Sequence, residues 1–198
     1  MPYPVTFEVD YAEQRNRLTA MVRLLLIIPL VIWLYILGLV AYVAMVISWF
    51  AIVITGGFPV GLYDFVAGFT RTVARFTAYA SLLTDAYPPF GIGDDQAYPV
   101  RMQFARLSSY SRLKTFFRAL LSIPIVILRY VMNLLLELGA FAAWVVIVIT
   151  GKLPRGLFDV MVLANSYIAR SDAYLFLLTE TYPPFQDEQT RAAGTGNA

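Results

Sequence analysis

Apolar and polar residues alternate in three distinct ways along this chain, and the same three patterns then recur. The first is a short segment of period two. Val5, Phe7, Val9 and Tyr11 alternate with Thr6, Glu8 and Asp10, and further on Val100, Met102 and Phe104 alternate with Arg101 and Gln103. Alternation with β-branched and aromatic residues predicts a strand, and two lone strands are expected to pair with each other or with a partner's edge. The second pattern is an unbroken apolar run. No side chain from Leu24 to Ile54 is charged, and between Ala119 and Ile149 only Arg129 and Glu137 are. Runs of this length read as membrane material. The third pattern is helical. From Leu62 the apolar positions 62, 65, 66, 69, 73, 76, 80 and 83 form one stripe, with Asp64, Arg71, Thr72 and Arg75 away from it. Gly56 and Gly151 end the apolar runs, Pro59 and Pro154 open the amphipathic helices, and Pro88-Pro89 closes the first of them.

The recurrence is a duplication. A shift of 95 residues lays Arg23 on Arg118, Pro29 on Pro124, Trp49 on Trp144, Asp64 on Asp159 and Arg75 on Arg170. The same shift superposes Ile52–Gly56 on Ile147–Gly151 and Tyr87-Pro88-Pro89-Phe90 on Tyr182-Pro183-Pro184-Phe185. Shared Leu and Ile arise by chance in an apolar chain, whereas matched Pro, Gly, Trp, Arg and Asp do not. The predicted organisation is a membrane repeat unit over 1–92, a second over 93–186, and a polar tail over 187–198 expected to be disordered. The fold expected is all-α and integral to a membrane, each repeat comprising a strand-like arm, an apolar helical hairpin and an amphipathic helix.

Length alone does not fix the path of the apolar run. A straight helix over Leu24–Thr55 would reach about 48 Å, beyond a hydrocarbon core of about 30 Å, while each arm of a hairpin would reach about 22 Å. Charge favours the hairpin. Arg15, Arg17 and Arg23 precede the first run and Arg71 and Arg75 follow it; Arg112, Lys114 and Arg118 precede the second and Lys152, Arg155 and Arg170 follow it. Basic flanks mark the cytoplasmic side, and a hairpin brings both ends there. Arg129, Asn133 and Glu137 would then sit at the turn of the second hairpin. The alternative is one long kinked helix carrying these three residues on one face. The hairpin reading implies a multi-pass protein of the bacterial cytoplasmic membrane with cytoplasmic termini. No cleavable leader is expected, since the first twenty residues contain no apolar stretch of the required kind.

Composition narrows the chemistry. Mean hydropathy is +0.66, only 14% of residues are charged, and the formal net charge of +2 offers nothing for a nucleic acid to bind. Cys and His are both absent, which excludes disulfides, thiolate and imidazole catalysis and the usual zinc, haem and iron–sulfur ligands. No phosphate-binding loop is present, and no cofactor or catalytic group is expected. All but two of the fifteen basic residues are Arg, a usage that suits phosphate headgroups and equally reflects genome composition. The repeated Asp64 and Asp159 are candidate ion-pair partners for Arg23 and Arg118. Arg71, Arg75, Arg129, Asn133, Glu137 and Arg170 are candidate contacts for lipid or a protein partner.

Each unit opens with Arg residues and Ile-Pro, and continues through Trp, Thr-Gly, Pro-x-Gly-Leu-[Phe/Tyr]-Asp and Leu-Leu-Thr-x-x-Tyr-Pro-Pro-Phe. In this it resembles a family of bacterial membrane proteins described as a domain of unknown function. The resemblance covers both units and implies kinship without an activity. Three classes of function follow from the residues: a non-catalytic accessory or scaffold subunit of a larger membrane complex or homo-oligomer, a protein that holds anionic lipid, and a small transporter or channel. The first is the expectation.

Overall fold

The computed structural model describes residues 3–184; the polar tail and Phe185 lie outside the described residues. The elements are β1 (Val5–Val9), α1 (Arg17–Leu26), α2 (Ile28–Thr55), α3 (Val60–Ala80), β2 (Val100–Phe104), α4 (Arg112–Phe116), α5 (Arg118–Leu121), α6 (Ile123–Thr150) and α7 (Arg155–Leu175). The chain is mostly helical, with two tandem units and one two-stranded arm.

The hairpin expectation is overturned. Each apolar run is a single helix of 28 residues, α2 and α6, about 42 Å long at 1.5 Å per residue. Nothing between Val31 and Thr55 can break it. The lone Gly38 costs about 1 kcal/mol relative to Ala, less than an apolar turn would lose in unpaired carbonyls and N–H groups. In the second copy Arg129, Asn133 and Glu137 follow the helix at intervals of four residues instead of marking a turn. The long-helix alternative is the one observed, interrupted near its beginning by proline. Ile27 N–H still donates to Arg23 O at 3.0 Å and Val31 N–H to Ile27 O at 2.9 Å, but Pro29 has no N–H to continue the ladder. In the second copy the corresponding stretch is divided into α4, α5 and α6. Both long helices end at a glycine in the left-handed conformation, Gly56 with φ 77° and Gly151 with φ 74°. By length and composition α2 and α6 could each cross a membrane. The inference of cytoplasmic termini rested on the hairpin and falls with it.

The two strands pair with each other. β1 and β2 form an antiparallel ribbon whose register sets Phe7 opposite Met102, and these two positions are equivalent in the two units. A pseudo-two-fold axis therefore pierces the ribbon between them, normal to its plane. Val5, Phe7, Val100 and Met102 face inward, whereas Glu8 and Gln103 are exposed on the outer face.

Beneath the ribbon lies α3 with its counterpart α7. Arg71 Nε donates to Met102 O at 2.9 Å and Arg75 Nε reaches Val100 O at 3.4 Å. Four residues of helix thus keep step with two of strand, about 6 Å each, so α3 runs along β2 and parallel to the ribbon plane. The opposite side of α3 packs on α2, where the Phe69 ring lies 3.7 Å from the Cβ position of Gly38. In the second unit Gly139 meets Met161, and ten residues earlier Arg129 meets Asp172, so α6 and α7 are aligned antiparallel. The order along the axis is ribbon, then α3 and α7, then α2 and α6. Helix α3 is covered on both sides, with Val66 through Thr70 all buried, and does not lie amphipathically on a surface.

Candidate functional site

The polar side chains of this apolar molecule are concentrated where each unit closes on itself. Helix α3 ends in a Schellman turn. Leu83 N–H donates to Ala78 O at 2.9 Å, Leu82 N–H donates to Tyr79 O at 3.1 Å, and Leu82 adopts φ 66°, an uncommon conformation for a side chain branched beyond Cβ. Leu177, with φ 67°, repeats it after α7. These turns are held by arginines from the start of the same unit. Arg23, 3% exposed, donates through Nη1 to Tyr79 O at 2.6 Å and to Thr84 O at 2.7 Å, and through Nη2 to Asp85 Oδ1 at 2.5 Å. Its guanidinium lies over the Tyr79 ring, 4.2 Å from the centroid. Arg15 Nη2 donates to Leu83 O at 2.7 Å, and its burial lowers the Arg15 pKa. Asp85 also accepts from the N–H of Asn16, the N-cap of α1, at 2.9 Å. In the second unit Arg118 donates to Thr179 O at 2.8 Å and covers Tyr174 at 4.0 Å, while Glu180 accepts from Ser111 N–H at 2.7 Å.

The expected partners are therefore corrected. Arg23 pairs with Asp85 and not with Asp64, which is exposed near the start of α3. Arg118 serves the turn after α7, and Asp159 instead takes Arg155 one helical turn earlier at 3.0 Å. Asp64 and Asp159 sit near the opposite end of their helices from these arginines, about 24 Å of helix away at 1.5 Å per residue. Asp85 and Glu180 were legible as an acid following Leu-Leu-Thr in both copies, yet nothing local signals their distant partner.

Arg71 and Arg75 of α3 and Arg170 of α7 also turn inward. Arg75, 1% exposed, donates to Gly93 O at 3.0 Å and Asp95 O at 2.9 Å, tying the linker to the ribbon, and burial lowers its pKa. Arg71 adds Asp94 at 3.6 Å to its bond with Met102. Arg170 is 1% exposed, its guanidinium 5.8 Å from the centroid of the Tyr3 ring. All three reach carbonyls or aromatic faces of their own chain. On the outer face of the ribbon Arg101 grips Asp10 at 2.7 Å, a bond that holds the Asp10 carboxyl below its ordinary range.

The units also close on one another. Arg15 N–H donates to Gly151 O at 2.9 Å and Tyr110 N–H to Gly56 O at 3.0 Å, so each unit begins against the C-terminus of the other's long helix. Arg17 lies over Gly151, where a Cβ would come within 2.9 Å of Nε, and Arg112 similarly approaches Gly56. A cation there complements the C-terminal end of the helix dipole. Trp49 donates to Thr115 O at 2.9 Å, closing the contact between α2 and α4.

One polar group is unique to the second unit. Arg129 Nε donates to Asp172 Oδ1 at 2.8 Å, and Asp172 is 4% exposed. Asn133 donates to Glu137 at 2.6 Å in the next turn. Sequence reasoning placed Arg129, Asn133 and Glu137 together but missed Asp172, which comes opposite Arg129 only when α7 folds back along α6. Among the described residues no group of three His, Cys, Asp or Glu could hold a metal ion. A groove of about 360 Å³ beside α1 is lined mainly by Met21, Leu24, Ala140, Phe141 and Trp144.

No curated protein and no solved structure matches the chain. A family model matches it twice, over residues 17–91 and 112–186, each match covering the helices and turn of one unit and leaving the ribbon outside. The chain belongs to the family described as a domain of unknown function, DUF4389, and carries two copies of that domain in tandem.

Proposed function

We propose that this protein is a membrane-embedded, non-catalytic accessory or scaffold subunit, packing in lipid against a larger complex or a second copy of itself. The observation behind this reading is the exposure of α2 and α6. Each buries only one narrow stripe, in α2 Leu30, Leu37, Ala41, Ala44, Ser48 and Ile52, and exposes large apolar side chains such as Ile32, Ile36, Leu39, Val43 and Phe50 around the rest. A soluble monomer rarely exposes a contiguous apolar patch beyond a few hundred Å², and lipid removes that cost. The buried arginines are engaged with the chain's own turns, ribbon and aromatic rings, which supports a scaffold over a reaction centre. The experiment is solubilisation of the full chain from native membranes in mild detergent, followed by mass spectrometry of what copurifies. Retention in the membrane pellet after alkaline carbonate and a stoichiometric protein partner or homo-oligomer are expected. Recovery in the soluble fraction would refute the membrane reading, and solute flux by the purified protein alone would refute the subunit reading.

A further inference from the structure

We infer that α2 and α6 lie in the plane of one membrane leaflet, with the pseudo-two-fold axis along the membrane normal and the β-ribbon in water. The inference rests on the membrane reading above and specifies its geometry.

The argument begins with the axis. It pierces the ribbon at Phe7 and Met102, normal to the ribbon plane, and α3 and α7 lie parallel to that plane. Helices α2 and α6 run antiparallel to α3 and α7, so they too are roughly perpendicular to the axis. A two-fold reverses any direction perpendicular to itself, and α2 and α6 accordingly point in opposite directions. If they crossed a bilayer, the axis would lie in the membrane plane at mid-depth. The ribbon's outer face would then stand in hydrocarbon with Glu8, Asp10 and Arg101, beside Asp94 and Asp95 of the linker. Exposed charges at that depth are among the most unfavourable arrangements a membrane protein can adopt. With the axis along the normal, the same charges face water and the opposite pole, α2 and α6, faces lipid.

The length of the apolar face agrees independently. It begins at Leu18 in α1 and continues to Ile54 at the end of α2, a contour of about 54 Å at 1.5 Å per residue. In the second unit it extends from Leu113 to Ile149. A hydrocarbon core about 30 Å thick cannot contain such a face across its width, whereas a leaflet places no limit on it within the plane. Exposed Arg17, Arg112 and Lys114 stand at the ends of the two faces, where an in-plane helix meets headgroups.

Gln14 and Ser109 are equivalent positions in the two units, both exposed, and they lie beside the C-termini of α6 and α2 respectively. Crossing helices would put them on opposite sides of the membrane, and in-plane helices put them on the same side. The chain has no cysteine, so Gln14→Cys combined with Ser109→Cys gives two clean labelling sites. The full-length double variant is reconstituted into phosphatidylcholine–phosphatidylglycerol vesicles, treated with a membrane-impermeant maleimide and weighed intact. In-plane embedding yields molecules with two adducts or none, whatever the mixture of orientations. A dominant population with one adduct overturns the inference. Oriented circular dichroism of wild-type protein in stacked bilayers supplies a second reading: the helical 208 nm band is retained for in-plane helices, and its loss would overturn the proposal. Protein that fails to float with the vesicles would instead refute the membrane reading itself.

Discussion

Replacing Arg23 by Gln tests whether the buried arginine at the start of each unit holds its closing turn. The guanidinium donates to two main-chain carbonyls and one carboxylate within 2.5–2.7 Å and covers the Tyr79 ring. Glutamine can reach at most part of this set. Hydrogen bonds from a charged donor contribute about 1.5–3 kcal/mol each, and removing one member of a buried pair costs about 3–5 kcal/mol. The Asp85 side chain is 26% exposed and regains some water, so the lower end applies, about 3 kcal/mol. At about 2–4 °C per kcal/mol for a chain of this size, the unfolding midpoint falls by about 10 °C. Asp85→Asn keeps an acceptor for Asn16 N–H and costs less, about 1–2 kcal/mol. The double variant is less stable than wild type by less than the sum, because each single change already removes the same Arg23–Asp85 interaction. Asp64→Asn, at an exposed position, changes stability by less than about 0.5 kcal/mol. The assay is tryptophan fluorescence of the detergent-solubilised full chain during heating, with all variants at one scan rate because unfolding in detergent is commonly irreversible. Strict additivity of Arg23→Gln and Asp85→Asn, or an Asp64→Asn loss as large as that of Asp85→Asn, would refute the lock.

Arg129→Leu alone strands the buried Asp172 carboxylate and costs about 3 kcal/mol, and adding Asp172→Thr, which restores the first unit's Leu34 and Thr77, recovers most of the loss. A double variant no more stable than the single one would show that the two residues are not a pair. Gly68→Ala places a Cβ 2.6 Å from Ile92 O and costs about 1–3 kcal/mol, whereas Gly61→Ala has open space and is neutral or stabilising by up to about 1 kcal/mol. Equal tolerance at the two glycines, read by the same melting assay, would contradict the packing of the linker on α3.

The sequence made legible whatever is periodic or punctuated. The strands follow from alternation at Val5–Val9 and Val100–Phe104, the ends of α2 and α6 from Gly56 and Gly151, and the beginning of α3 from Pro59. The duplication followed from residues that chance does not align. The hairpin fails for a physical reason: positive flanks are a topology signal only when they are exposed, and Arg23, Arg75, Arg118 and Arg170 are inside the fold, bonded or stacked on its own groups. A basic residue marks the cytoplasmic side only if it meets water or headgroups there. The partners of those arginines lie 56 to 62 residues away for Arg23, and no local spacing encodes such pairs. The two-fold axis was latent in the repeat, but its direction required the pairing register of β1 with β2.

The tandem arrangement also constrains where a partner can dock. Features present in both units, such as the arginine locks, the Schellman turns and the glycine caps, come in two equivalent copies about the axis. A surface built from them alone offers two identical contacts. A single partner needs a place where the units differ, and α6 supplies one. Glu137 is exposed among Leu134, Leu138 and Phe141, with the Asn133 amide beside it, where the first unit has Tyr42 and Gly38. A charged side chain on a helix face that meets hydrocarbon is costly unless it is paired. One amide donor offsets that cost only in part, because a carboxylate has about four acceptor sites. On the subunit reading, a polar or basic side chain of the neighbouring protein covers Glu137 and supplies the remaining hydrogen bonds. On that reading the same contact cannot form on the first unit, where Tyr42 has no carboxylate to offer, and the expected stoichiometry is one partner per chain, on the α6 flank.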